Sequence, residues 1–282
     1  MIDAPGGLNQ SELHFGRVDA DAVVAYAMAT SDSNPLYLQG QAVPPLFTVS
    51  LLLTAHLEAG LSERPHVQDA TRVVHGEHDT HILGRLQPGM PLQWQSTLSG
   101  IHTTKGGVIE TQHMVVQDRR GTPLVEHLWS NFSVNGRIDN EVGPRKPDHT
   151  FPDAARDRLI GSRRIQVDRD QGFRYAGVSG DRVGHAIDDE IARSEGYPGK
   201  ILQGLCTFGL CSGALVHLAA GGDPRRVRRL ACRFSKPTFP GQDLDVSLYE
   251  IGPVEGGRRA FAFEANQDGR TVVKHGRIEV DT

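Results

Sequence analysis

The chain is poor in the features that announce several protein classes. It has 3 cysteines, Cys206, Cys211 and Cys232, in 282 residues. This odd, sparse set builds no disulfide framework and fits a reducing, cytoplasmic setting. Basic residues are not in excess: 30 Lys and Arg stand against 34 Asp and Glu, a formal charge of −4. A general nucleic-acid binder is excluded on that ground. The first residues lack a basic region followed by an apolar run, so no signal peptide is expected. The longest apolar stretch, Ile201 to Ala220, approaches membrane-span length. It is interrupted by Gln203, Thr207, Ser212 and His217 and carries three glycines, so it reads as a buried helix and no membrane association is expected.

What the chain does contain is a pattern met twice. Tyr175 to Leu215 is a polar loop with a central acid, Asp181, leading into a Gly-rich apolar helix. Tyr26 to Leu53 repeats the plan in shorter form around Asp32. Tyr26 and Asp32 precede Tyr175 and Asp181 by the same interval, and Gln87-Pro88-Gly89 is echoed by Phe239-Pro240-Gly241.

The elements follow the same order in each half. Asp19 to Ala29 reads as a helix, Ser31 to Val43 as a loop, and Pro44 to Ala59 as a helix with proline in its first turn. Strands are expected over Thr71–Leu83, Pro91–Thr103, Gly107–Asp118 and Pro123–Val134. Asn135 to Arg158 is rich in Pro, Gly and charge and reads as a linker. A helix over Ile201–Ala220 and strands near Val227–Ser235, Asp243–Ile251, Arg258–Gln267 and Thr271–Val280 complete the second half. The class is α+β, with residues 1–134 as one repeat, 135–158 as linker and 159–282 as the other.

Several motifs carry a family resemblance. They are Ser179-Gly180-Asp181, Gly196-Tyr197-Pro198-Gly199, the run from Ile201 to Thr207, Asp32-Ser33-Asn34-Pro35-Leu36-Tyr37, and His75-Gly76-Glu77. Together they resemble the MaoC-like hydratases and dehydratases in their double hot-dog form. The resemblance implies two repeats, each an antiparallel sheet wrapped around a helix. It implies action on an enoyl or 3-hydroxyacyl thioester of coenzyme A or acyl carrier protein, with no cofactor and no metal. Oligomeric state stays open between a monomer with an internal pseudo-dimer and a homodimer.

The family loop reads Asp-x-Asn-Pro-x-His. Here Asp181 holds the acid position, Val183 and Gly184 replace Asn and Pro, Ala186 stands at the His position, and His185 lies one residue early. Gln203 stands before Gly204 where the family has His. In the first half Asp32, Asn34 and Pro35 fit and Tyr37 replaces His. The implied roles are Asp181 as base, His185 as displaced acid and Gly204 as backbone donor to the thioester oxygen. Asp32, Asn34, Tyr37, Gln203 and Tyr197 are assigned to substrate binding.

Other readings stay open. The same site is suited to conjugate addition of an amine or to thioester hydrolysis, and a non-catalytic acyl-thioester binder or scaffold also fits the altered loops. His75, His78 and His81 raise the question of a metal. On a regular strand residues three apart face opposite sides, so they do not converge without a bend. Cys206, in an apolar helix without a paired base, reads as packing. The cluster Arg225, Arg226, Arg228 and Arg229 reads either as a solvated turn and strand start or as a phosphate-docking patch.

Overall fold

The structure, a computed structural model, describes residues 9–60 and 67–282. The first eight residues, on which the absence of a leader was read, lie outside the described residues. The first half contributes strand β1 (His14–Arg17), helices α1 (Ala20–Ala29), α2 (Pro35–Leu38) and α3 (Leu53–Ala59), then β2 (Arg72–Ile82), β3 (Pro91–Thr104), β4 (Gly107–Asp118) and β5 (Pro123–Val134). The second half contributes β6 (Leu159–Ile165), helices α4 (Gln171–Ser179), α5 (Gly184–Ile187), α6 (Asp189–Ser194) and α7 (Gly204–Ala220), then β7 (Val227–Phe234), β8 (Leu244–Val254), β9 (Arg258–Gln267) and β10 (Arg270–Asp281).

All ten strands form one antiparallel sheet in the order β1-β3-β4-β5-β2-β7-β10-β9-β8-β6. Read outward from the centre, the two halves have the same order: β2-β5-β4-β3-β1 on one side and β7-β10-β9-β8-β6 on the other. This mirror relation is what a duplicated unit produces, and it is the α+β double hot-dog arrangement the motifs implied. The seam is β2 against β7, with Glu77 opposite Arg233 and His81 opposite Arg229.

The principal core cluster crosses the seam. Tyr26, Phe47 and Leu52 of the first half share it with Phe208, Leu215 and Phe263 of the second. Burying such side chains contributes roughly 1.5–3 kcal/mol each, so the halves stabilise one another. α7 is buried on nearly all sides, which explains its largely apolar character, and no helix among the described residues is long and apolar enough to cross a membrane.

The expected first-half helix over Pro44–Ala59 is the main departure. Its start is a turn and a tight 3₁₀ stretch at Phe47–Leu51, and only Leu53–Ala59 is α-helical. Pro44 and Pro45 supply no N–H groups, and β-branched Thr48 and Val49 crowd the turn. The Ser50 hydroxyl donates to Phe47 O at 2.7 Å, competing locally with the backbone.

The segment 135–158 lies across the sheet's outer side. Glu77 Oε2 accepts from His149 Nε2 at 3.1 Å, Lys146 pairs with the same carboxylate, and Phe151 packs with Ala155 and Ala262. The connection between the repeats therefore also covers their seam.

Candidate active site

Asp181 sits in the turn between α4 and α5. α4 ends at Gly180 in the left-handed region (φ 73°), a conformation glycine adopts without strain. The Asp181 side chain accepts a hydrogen bond from Val183 N–H at 3.4 Å, and its own N–H donates to Ser179 Oγ at 3.1 Å. Burial raises its carboxyl above the usual range, while the Val183 N–H and the charge of His185 work against that rise. Its charge also reaches Cys206, placing the acid beside the first turn of α7.

Gln203 occupies the N-cap of α7, but its side chain does not cap the helix. Its Nε2 donates instead to Gly172 O at 3.2 Å and Asp181 O at 3.0 Å. The residue is 2% exposed, and among the described residues its Oε1 has no hydrogen-bond partner. Gln203 thus fastens the acid loop to the helix start. The first N–H groups of α7, beginning at Gly204, are left without a side-chain cap, and together with the helix dipole they suit a developing oxyanion. A Cβ at Gly204 would lie 3.2 Å from the Phe234 ring, so glycine keeps this approach open.

His185 and Ala186 adjoin on α5 and point apart, as successive helical residues do. Ala186, at the family's His position, is buried at 2% exposure. His185 is partly buried, and its Nδ1 meets Glu195 Oε2 at 2.7 Å. Its ring meets Tyr197 edge-on at 5.7 Å, and the Tyr197 hydroxyl accepts from Arg72 Nη1 of β2 at 3.3 Å. The sequence reading missed Glu195 and Arg72. Nothing in their spacing marks them, since one lies at the end of α6 and the other in the opposite repeat.

The first-half residues are not gathered around Asp181. Asp32 packs against Gly213, where a Cβ would lie 2.9 Å from its Oδ2. Nine helical steps separate Gly213 from Gly204, about 14 Å at roughly 1.5 Å per residue. Asn34 is structural: its Oδ1 accepts from Leu36 N–H at 3.0 Å, and its Nδ2 donates to Gly222 O at 2.8 Å. Tyr37 is fully buried. Its assignment as a substrate contact is therefore revised to a core ring, because the short α2 turns it inward.

The histidine reading also needs correction. A bulge between His75 and Glu77 supplies the bend that a regular strand lacks. His75 and His78 consequently share a face, with ring centroids 5.3 Å apart. Trp129 lies stacked between His56 at 4.0 Å and His75 at 4.5 Å. Burial drives the His75 and His78 pKa values well below the ordinary imidazole value, so they serve as neutral packing rings. His81 instead faces Asp79, at 3.2 Å. Among the described residues no group of three or more His, Cys, Asp or Glu is arranged to hold a metal ion. Cys206 is fully buried and burial pushes its thiol up, which suppresses the thiolate.

The arginine cluster is largely neutralised within the fold. Arg225 pairs with Asp223 at 2.7 Å, Arg228 with Asp281 at 2.5 Å and Arg229 with Asp79 at 2.7 Å. Arg226 donates to Asp281 O at 2.7 Å. Arg225 and Arg228 do line a cavity of about 380 Å³ with Arg85, Arg258 and an apolar floor from Val43 to Pro45.

Comparison with known proteins agrees with this architecture. The chain is 26% identical over 211 residues to a probable enoyl-CoA hydratase 2 of Dictyostelium discoideum, covering 74% of this chain and 70% of that protein. It is 36% identical over 169 residues to 3-hydroxyacyl-thioester dehydratase Y of Mycobacterium tuberculosis, covering 57% of this chain and 56% of that protein. The crystal structure of a MaoC-like dehydratase from Phytophthora capsici superposes with a TM-score of 0.85 at 23% identity, over 100% of this chain and 96% of that one. The family model described as "MaoC like domain" matches residues 151–270, which hold Asp181, His185 and Gly204. Residues 151–270 thus resemble a MaoC-like domain, set within a chain that takes the double hot-dog arrangement along its whole length.

Proposed function

We propose that this protein is a hydro-lyase acting on an enoyl or 3-hydroxyacyl thioester, with coenzyme A or acyl carrier protein as the carrier. The observation that carries this reading is the junction of a half-buried acid, Asp181, with the uncapped first turn of α7 at Gly204. In the hydration direction Asp181 accepts a proton from water, whose oxygen bonds to the β carbon. The α carbon takes a proton from His185, and the first N–H groups of α7 hold the thioester oxygen while it carries negative charge. Dehydration is the reverse: Cα–H and Cβ–O bonds break and water leaves. The proton on Asp181 and the proton vacancy on His185 are restored by exchange with solvent.

His185 differs from the family His in position, and Glu195 gives it a different support. A carboxylate on Nδ1 fixes the tautomer and leaves Nε2 for proton transfer. Tyr197 and Gln203 act here as positioning residues, Tyr197 against the imidazole and Gln203 between the acid loop and the helix. The reading needs no cofactor. A monomer and a homodimer both accommodate it, since the repeats already pair within one chain. The three buried free cysteines accord with a reducing, cytoplasmic compartment.

Incubation with crotonyl-CoA, read by mass spectrometry, tests the reading. A gain of one water that disappears in Asp181→Asn supports it. Water addition unchanged by that substitution overturns the role of Asp181. Conversion only when an amine is supplied, or release of free thiol, moves the site to the alternative chemistries. Binding with no turnover on either carrier makes the protein a thioester binder.

A further inference from the structure

The larger of the two cavities described here does not belong to the Asp181 site. It measures about 580 Å³ and lies between the Asp32 loop, strand β6 and the C-terminal half of α7. That volume falls within the range of small-ligand pockets. The α7 residues lining it, Leu210, Gly213, Ala214 and His217, are spaced by three and four and form one helix face. Gly213 is what lets the Asp32 carboxylate sit against that face, since a Cβ would approach Oδ2 to 2.9 Å.

The lining has a polarity along its depth. Asp32 is mostly buried, and one of its oxygens is already taken by Asn34 N–H at 3.1 Å. Apolar Leu36, Ile165 and Leu210 form part of the walls. On β6 the exposed Arg163 lines the same cavity and makes no ion pair among the described residues, and its charge reaches Asp32. Neighbouring Arg164 is committed to Asp245 at 2.8 Å. A ligand matching this order has an anionic group at one end, an apolar or amide-bearing arm, and hydrogen-bond donors for a carboxylate within.

We propose that this cavity is a second ligand site, for the phosphopantetheine arm of an acyl thioester, that binds without hydrating. It occupies the place in the first repeat that Asp181 marks in the second, and it retains the Asp-Ser-Asn-Pro order. The machinery for an oxyanion is missing. Where α7 opens on Gln203 and Gly204, the corresponding turn of the first repeat is Pro44-Pro45-Leu46, and neither proline has an N–H. Arg163 takes the phosphate, and Asp32 accepts from an amide of the arm. The choice of thioester as ligand rests on the function proposed above; the existence of a second site does not.

Calorimetric titration of the full chain with butyryl-CoA, a saturated thioester that cannot be hydrated, tests the proposal. Two binding events per chain are expected. Arg163→Glu removes or weakens one of them by about tenfold or more, with turnover of crotonyl-CoA at saturation unchanged. Butyryl-pantetheine, which lacks the phosphate, loses the same event in the wild type. Butyryl-phosphopantetheine retaining both events assigns recognition to the shared arm, whereas a requirement for acyl carrier protein places the source there and still supports the site. Asp181→Asn separates the two readings: loss of turnover with two events intact upholds both. Two events in a protein without hydratase activity sink the proposed function and leave the second site standing. One event per chain with every probe, or two events indifferent to both Arg163→Glu and Asp32→Asn, overturns the second site.

Discussion

Glu195 holds His185 by its Nδ1 at 2.7 Å, ten residues away in sequence and across the short helix α6. The pair assigns the imidazole an orientation that its displaced position in the loop does not provide. His185→Ala is expected to lower kcat by about 10²–10⁴, the range of a lost general acid. Glu195→Gln is expected to lower kcat by about tenfold with little change in KM, because it disturbs orientation and tautomer alone. The double variant is expected to be no worse than His185→Ala. Steady-state kinetics on the three variants checks this, and additive losses would show that the residues act separately.

The environment of Asp181 links activity and stability to pH. Its carboxyl is raised above 3.8 chiefly by burial. The base works only when ionised, so kcat/KM is expected to fall on acidification with a midpoint above 3.8. Stability runs the other way. The folded state holds the proton more tightly than the unfolded state, so this carboxyl's contribution diminishes as pH rises through its folded pKa. Asp181→Asn is therefore expected to abolish turnover and raise Tm at pH 7, by on the order of 2–4 °C for each kcal/mol gained, with no rise near pH 3. Thermal melts at the two pH values decide it.

At Gly204 the test is steric. A side chain there meets Phe234 at 3.2–3.4 Å. Gly204→Val is expected to reduce kcat/KM by about a hundredfold, the scale of a lost oxyanion contact. Phe234→Leu in the same chain is expected to restore part of it by vacating the space. A valine variant with full activity would remove Gly204 from the site.

Arg229 and Asp79 form a buried pair across the seam, joined by two hydrogen bonds of 3.0 and 2.7 Å. Burial works to raise the Asp79 carboxyl, but hydrogen bonds from His81 and Arg229 outweigh it and bring the value down to about 2. This depressed carboxyl contributes stability that is present above its unfolded value and lost as pH falls from 3.8 toward 2. Arg229→Ala leaves the charge uncompensated and is expected to cost about 3–5 kcal/mol at neutral pH. Asp79→Asn in the same background is expected to recover part of that loss. Urea unfolding of the single and double variants measures both effects.

Much of the sheet was legible because its strands are bounded by turn residues. Gly107–Asp118, Pro123–Val134 and Arg258–Gln267 have the expected limits. The apolar run at Gly204–Ala220 identified the central helix for the same reason, since a helix buried all round has little amphipathic disguise. Two features escaped. The apolar residues of Pro44–Ala59 suggested one helix, but apolar content does not reveal that Pro44 and Pro45 withhold the hydrogen bonds of its first turn. In β2, a single extra residue, Gly76, reversed which histidines share a face. A bulge is a property of two paired strands, and only one of them is visible in a local pattern. For the site, Asp181 and Gly204 stood out by motif, whereas Glu195 acts through a contact made by folding.

The mirrored order of the strands has an evolutionary consequence. In a dimer of identical chains, every substitution in a loop appears in both sites at once. In this chain the two repeats are encoded separately, so each loop varies under its own constraints while the β2–β7 seam preserves the paired architecture. One repeat has Pro44 and Pro45 ahead of its helix, and the other has Gly204. Holding both repeats in one chain leaves each loop free to differ from its twin while the scaffold stays paired.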